Sequence, residues 1–187
     1  MARIRLRFNE AKTAQTAARL LKNCGGSLNY MKLLKLLYLV DREALEQWGR
    51  PVTTDRYVSM DKGPVLSRTF DLITYGAAPG ETSTWNTLIS PARGYSVSLL
   101  TENPPDEELS RAEEELIDGV CQRFGAMDQW SLVDYVHTLP EWHDPEGTST
   151  PIEYSDILRA LGKSEDEISE IEGELMGLRA AERLAPA

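Results

Sequence analysis

Tyr30-Met31-Lys32-Leu33-Leu34-Lys35-Leu36-Leu37-Tyr38-Leu39-Val40-Asp41-Arg42 is the stretch that decides the fold. Asn29 before it is a helix cap, and Gly49 and Pro51 stop the helix after about Trp48. The apolar residues Met31, Leu33, Leu34, Leu36, Leu37, Tyr38, Leu39, Val40 and Leu45 occupy nearly every face. A helix that is apolar all round is buried all round, so this one is the predicted centre of the core. Lys32 and Lys35 are expected to leave that core along their methylene stems.

Outward from this helix the punctuation is mostly helical. Residues 9–24 read as a first helix, capped by Asn9 and ended by Gly25-Gly26. Residues 50–63 are turn-rich and partly extended, with Tyr57-Val58 as their apolar anchor. Pro64 suits the first turn of a third helix that ends at Gly76. Residues 82–89 and 95–100 carry the one good strand signal, and the turn 90–94 between them predicts a hairpin. Ser110 with Glu113 forms a capping-box pattern for a helix ending near Phe124. Asp128 caps a short helix to Thr138, and residues 140–151 are read as a loop. Residues 153–161 form another helix, and Ser164 with Glu167 opens a last one to about Leu184. The expected fold is mainly α: a compact helical domain around a central buried helix, with a β-hairpin or small antiparallel sheet. Residues 1–187 are taken as one domain, with 163–187 as its C-terminal helix.

The chain has 187 residues, 41% hydrophobic and 27% charged, with a formal net charge of −10. Those values fit an ordinary globular protein and disfavour a dedicated binder of nucleic acid, itself a polyanion. No apolar run approaches the ~20 residues of a membrane span. The three arginines within Met1–Phe8 are not followed by an apolar signal core, so a cytoplasmic location is expected. Cys24 and Cys121 are too few for a disulfide scaffold and read as lone buried thiols. Charge is uneven: +6 over residues 1–50 and −16 over the rest. Such a split steers a charged partner, joins two copies head to tail or is neutralised within the fold.

Residues that could carry chemistry are sparse. His137 and His143, with Asp134, Glu141 and Asp144 nearby, resemble a metal-site inventory. Their spacing across Pro140 is poor, and structural histidines are the preferred reading. There is no GxSxG, no phosphate loop and no activated cysteine motif, so neither an enzyme nor a cofactor is expected. Arg3, Arg5, Arg7, Lys12 and Arg19 could touch phosphates. The alternation Arg3-Ile4-Arg5-Leu6-Arg7-Phe8 favours an edge strand instead. Trp48 and Trp142 fall at helix ends, as interface anchors or as plugs of the core edge.

The central helix, with its K-L-x-K-L-L-Y-x-x-D pattern, resembles that of the Panacea-domain (SocA-like) antitoxins. Gly49-Arg50-Pro51-Val52-Thr53, Asp55-Arg56-Tyr57-Val58 and Lys62-Gly63-Pro64-Val65 follow in the family's order. Val136-His137-Thr138-Leu139-Pro140-Glu141-Trp142 is similar to its late T-H-x-x-x-P-W signature, with Val136 where the family commonly has Thr. Ile152-Glu153-Tyr154-Ser155-Asp156-Ile157-Leu158 fits its closing helix, so the likeness runs over about residues 10–160. It implies an antitoxin of a bacterial or prophage pair that neutralises a cognate toxin by direct binding. A second possibility from the family is an adaptor that delivers the toxin to a cytosolic AAA+ protease. A metal-dependent enzyme and a nucleic-acid binder rank below both. Because the chain begins almost at the shared domain, a DNA-binding segment of its own is not expected. The net charge suits a basic toxin. Tyr57, Asp61, Lys62, Trp142 and His143, on loops beside helix ends, are the expected contacts.

Overall fold

The computed structural model of the protein describes residues 4–77, 80 and 82–184. Helix α1, Glu10–Asn23, starts where the Asn9 side chain accepts from Lys12 N at 3.0 Å. Strand β1, Ser27–Asn29, leads into α2, Tyr30–Trp48, whose cap is again an asparagine, Asn29. Gly49 ends α2 in a left-handed conformation at φ +67°, which favours glycine. Leu33, Leu34, Leu36, Leu37, Tyr38, Val40, Ala44 and Leu45 of α2 are buried on all sides. Each such leucine contributes about 2 kcal/mol of transfer free energy, so α2 is where the fold is held.

Strands β2, Tyr57–Met60, and β3, Gly63–Leu66, form a hairpin across Asp61-Lys62. Helices α3, Ser67–Tyr75, and α4, Thr84–Leu88, follow, then β4, Ser96–Ser98, which pairs with β1. Helices α5, Arg111–Phe124, and α6, Gln129–His137, pack on α2. Strand β5, Thr150–Ile152, joins the free edge of β2. Helices α7, Tyr154–Ala160, and α8, Glu165–Leu184, close the described chain. The result is mainly α with antiparallel sheets of two and three strands.

The expected caps at Asn9, Asn29, Ser110, Asp128 and Ser164 are all present. Four local expectations are corrected. Residues 82–100 do not form a full hairpin: Ser83 caps α4, while Trp85 and Leu88, three apart, are buried on one helix face. Only isolated bridges, Ile89 with Leu99 and Arg93 with Ser96, remain of that pairing, and β4 turns to β1 instead. Pro64 lies in β3 opposite Ser59 and does not open a helix. The helix waits for Ser67, because the buried Asp55 carboxylate accepts from Arg68 N and Thr69 N and caps α3 from a distance. Within the described part of the N-terminal stretch no ladder forms; Arg7 O and Asn9 N are both tied to Thr54 Oγ1. Met1–Arg3 lie outside the described residues. The stretch read as a loop, 140–151, ends in a strand.

Charge is balanced internally on one side of the core. Lys12 pairs with Glu113, and Arg19 with Glu114 and Asp118, so the basic α1 neutralises part of the acidic α5. At the far end of the same interface the two cysteines meet. Cys24 Sγ and Cys121 Sγ are 2.9 Å apart at the ends of α1 and α5, so neither thiol is isolated. Peroxide is therefore expected to join them within one chain: two thiols and one H2O2 give a disulfide and two waters. Thiol titration should find no free sulfhydryl, and intact mass should fall by two hydrogens. Closing so long a loop should raise the unfolding free energy by up to about 4 kcal/mol. Retention of both thiols under oxidant would contradict this.

Candidate functional site

Two buried carboxylates build the hairpin's support. Asp41, from the middle of α2, accepts from Val52 N at 2.8 Å, Thr53 N at 2.9 Å, Tyr57 Oη at 2.9 Å and the Thr53 hydroxyl. Asp55 accepts from the N–H groups of Arg56, Arg68 and Thr69 and from the Thr69 hydroxyl. The segment between α2 and β2 is thereby fastened to the core at one end and to α3 at the other. Burial raises both carboxyl groups above the usual range, Asp41 to about 6, although their hydrogen bonds pull the other way.

A third carboxylate holds the other flank. Glu141 Oε1 accepts from Tyr38 Oη at 2.8 Å and Arg42 Nε at 2.7 Å, which ties the segment after α6 to α2. Beside it the His137 ring stacks on Trp142 at 3.9 Å between centroids. Trp142 Nε1 donates to Met60 O at 3.1 Å, and His143 N meets Ser59 Oγ at 3.4 Å. The indole thus braces β2 from behind. His137 Nε2 and Glu141 Oε2 are buried with no hydrogen-bond partner.

On its other side the hairpin tip borders a groove of about 640 Å³. One wall is the start of α2 with Tyr30, Met31, Leu34 and Lys35; the other is Met60–Gly63. Phe70, Tyr95 and Trp130 add an aromatic rim. Tyr95 is 71% exposed and Trp130 54%, large aromatic surfaces to leave in water. Lys62 Nζ stands 5.3 Å from the Trp130 ring centroid, and Asp61 Oδ1 accepts from Gly147 N at 3.0 Å. Lys35 does not escape along its stem as expected. It is 1% exposed and donates to Pro64 O at 2.8 Å. Burial brings its ammonium down to about 7.

The five residues expected as contacts therefore separate. Asp61 and Lys62 line the groove. Trp142 and the exposed His143 lie behind the hairpin. Tyr57 is 3% exposed, bonded to Asp41 and edge-on to both Tyr38 and Tyr154. Its position beside a helix end suggested a loop, but strand alternation turns its ring inward. Missed by sequence reasoning were Tyr30, Phe70, Tyr95 and Trp130, which lie far apart in the chain. Lys35 did carry a signal, a cation on an otherwise apolar helix face.

The SocA-like antitoxin, Panacea domain family model matches residues 33–143, from the first turn of α2 to His143. The chain belongs to this family. No curated protein and no solved structure matches it. Membership gives this Panacea-domain chain an antitoxin role in general terms, with a toxin as the partner. The matched span contains all three carboxylate clamps, the hairpin and most of the groove. Helices α1, α7 and α8 lie outside it. Among the described residues no helix is long and apolar enough to cross a membrane.

Proposed function

We propose that the chain neutralises a cognate toxin by direct protein–protein binding, without chemistry of its own. The family match over residues 33–143 carries this reading. An aromatic-rimmed groove beside a rigidly braced hairpin supports it, because buried aromatic anchors supply most of the energy of protein interfaces. In this proposal Asp61 and Lys62 meet the toxin at the groove. Trp142 and His143 extend the contact around the back of the hairpin. The net charge of −10 speeds encounter with a toxin whose overall charge is positive.

Co-expression with the toxin encoded in the neighbouring open reading frame tests it. Growth rescue with a stable one-to-one complex is expected, and rescue should persist in a host lacking its cytosolic AAA+ proteases. Loss of rescue in that host, with a shortened toxin half-life in the parent strain, would identify a proteolytic adaptor instead. Absence of any complex and any rescue would overturn the antitoxin reading itself.

A further inference from the structure

The placement of Lys35 calls for an explanation that packing does not supply. Every other residue on that stretch of α2, from Leu33 to Val40, is apolar and buried. A methionine would fill the same volume without the cost of burying an ammonium. The ammonium has three N–H donors. The described structure gives it one acceptor, the Pro64 carbonyl oxygen. Its side chain lines the groove, whose charged residues are Lys35, Lys62 and Asp61. The groove lining thus holds two basic side chains, Lys35 and Lys62, and one acidic one, Asp61, whose carboxylate accepts from Gly147 N, in a chain of net charge −10. At about 640 Å³ it has the size of a pocket for a few side chains, not for a whole helix.

Resting on the antitoxin reading, we propose that this groove receives an apolar segment of the toxin that brings one Asp or Glu side chain to Lys35 Nζ. The apolar part of the segment packs against Tyr30, Phe70, Tyr95 and Trp130. The carboxylate supplies the acceptor that the ammonium lacks and, in a water-poor site, restores the charge that burial suppresses in the free protein. The net negative charge of the chain and the buried Lys35 then have different tasks: one draws a basic toxin near, the other admits a single acidic anchor and sets the register.

Binding of purified toxin to wild-type chain and to Lys35→Met, measured by calorimetry, tests the pairing. Lys35→Met is expected to weaken binding by more than about tenfold, because it leaves the toxin carboxylate buried and unpaired. One Asp→Asn or Glu→Gln change in the toxin should reproduce that loss and add little to it in the Lys35→Met background. Trp130→Ala and Tyr95→Ala, at exposed positions that do not support the core, should each weaken binding as well and keep the test decisive if Lys35→Met fails to fold. Binding within twofold of wild type by folded Lys35→Met, or by both aromatic variants, would overturn the groove proposal alone. The same holds if no acidic residue of the toxin is coupled to Lys35. A wild-type chain that binds no toxin would overturn the antitoxin reading first.

Discussion

Asp41→Ala is expected to lower the unfolding free energy by about 3–5 kcal/mol, the range seen when one member of a buried charged network is removed. The carboxylate satisfies two backbone N–H groups and two hydroxyls in a site with no water access. Alanine leaves all four donors buried and unpaired, and each unsatisfied group costs about 1–3 kcal/mol before relaxation. For a chain of this size the midpoint of thermal unfolding should fall by roughly 10 °C. Urea titration of the two proteins measures the difference, and a loss below about 1 kcal/mol would show that the clamp is not structural.

The same residue has a pH signature with a definite sign. Folding raises its pKa from 3.8 to about 6, so between those values the folded chain holds the proton more tightly than the unfolded one. Stability from this group is fully present below about 4 and declines as pH rises through about 6. The decline should be smaller in Asp41→Ala, where only the raised Asp55 carboxyl still contributes one of the same sign.

Gly63→Ala should be nearly as damaging, at about 2–4 kcal/mol, for two separable reasons. Gly63 has φ +94°, outside what an L side chain adopts readily. A Cβ there would also stand 2.5 Å from Val136 Cγ2, inside the packed face between the hairpin and α6. A Gly63→Ala, Val136→Ala double variant should relieve the clash but not the backbone strain, and so recover only part of the loss. Full recovery would mean that φ costs nothing; no recovery would mean that the clash is not the cause. Because the hairpin tip carries Asp61 and Lys62, the single variant should also weaken toxin binding.

Much of this architecture was legible in the residues. Asn9, Asn29, Ser110, Asp128 and Ser164 announce helix starts through local bonds that span three residues or fewer, and such signals survive any tertiary context. Nearly continuous apolar character made α2 the core. The failures share one cause. Residues 82–89 have β-branched side chains, yet Ser83 and the Trp85–Leu88 spacing bury better as a helix turn against α1. Pro64 would suit a helix start, but the β2 ladder and the distant Asp55 cap place the start at Ser67. Tyr57, expected both as an apolar anchor and as a contact, is core. In each case tertiary partners outside the local segment outweighed a weak local preference.

From its order of residues alone the chain determined a mainly helical fold, the identity of its central helix and its membership in the Panacea-domain family. Those follow from periodicity and from motifs in sequence order, which need no knowledge of distant neighbours. Tertiary structure alone decided where a partner can sit. It turned Tyr57 inward, kept Lys35 inside, and brought Tyr30, Phe70, Tyr95 and Trp130 around one groove. The physical reason is that a binding surface is made of side chains far apart in the chain, and their meeting depends on packing that no local pattern encodes.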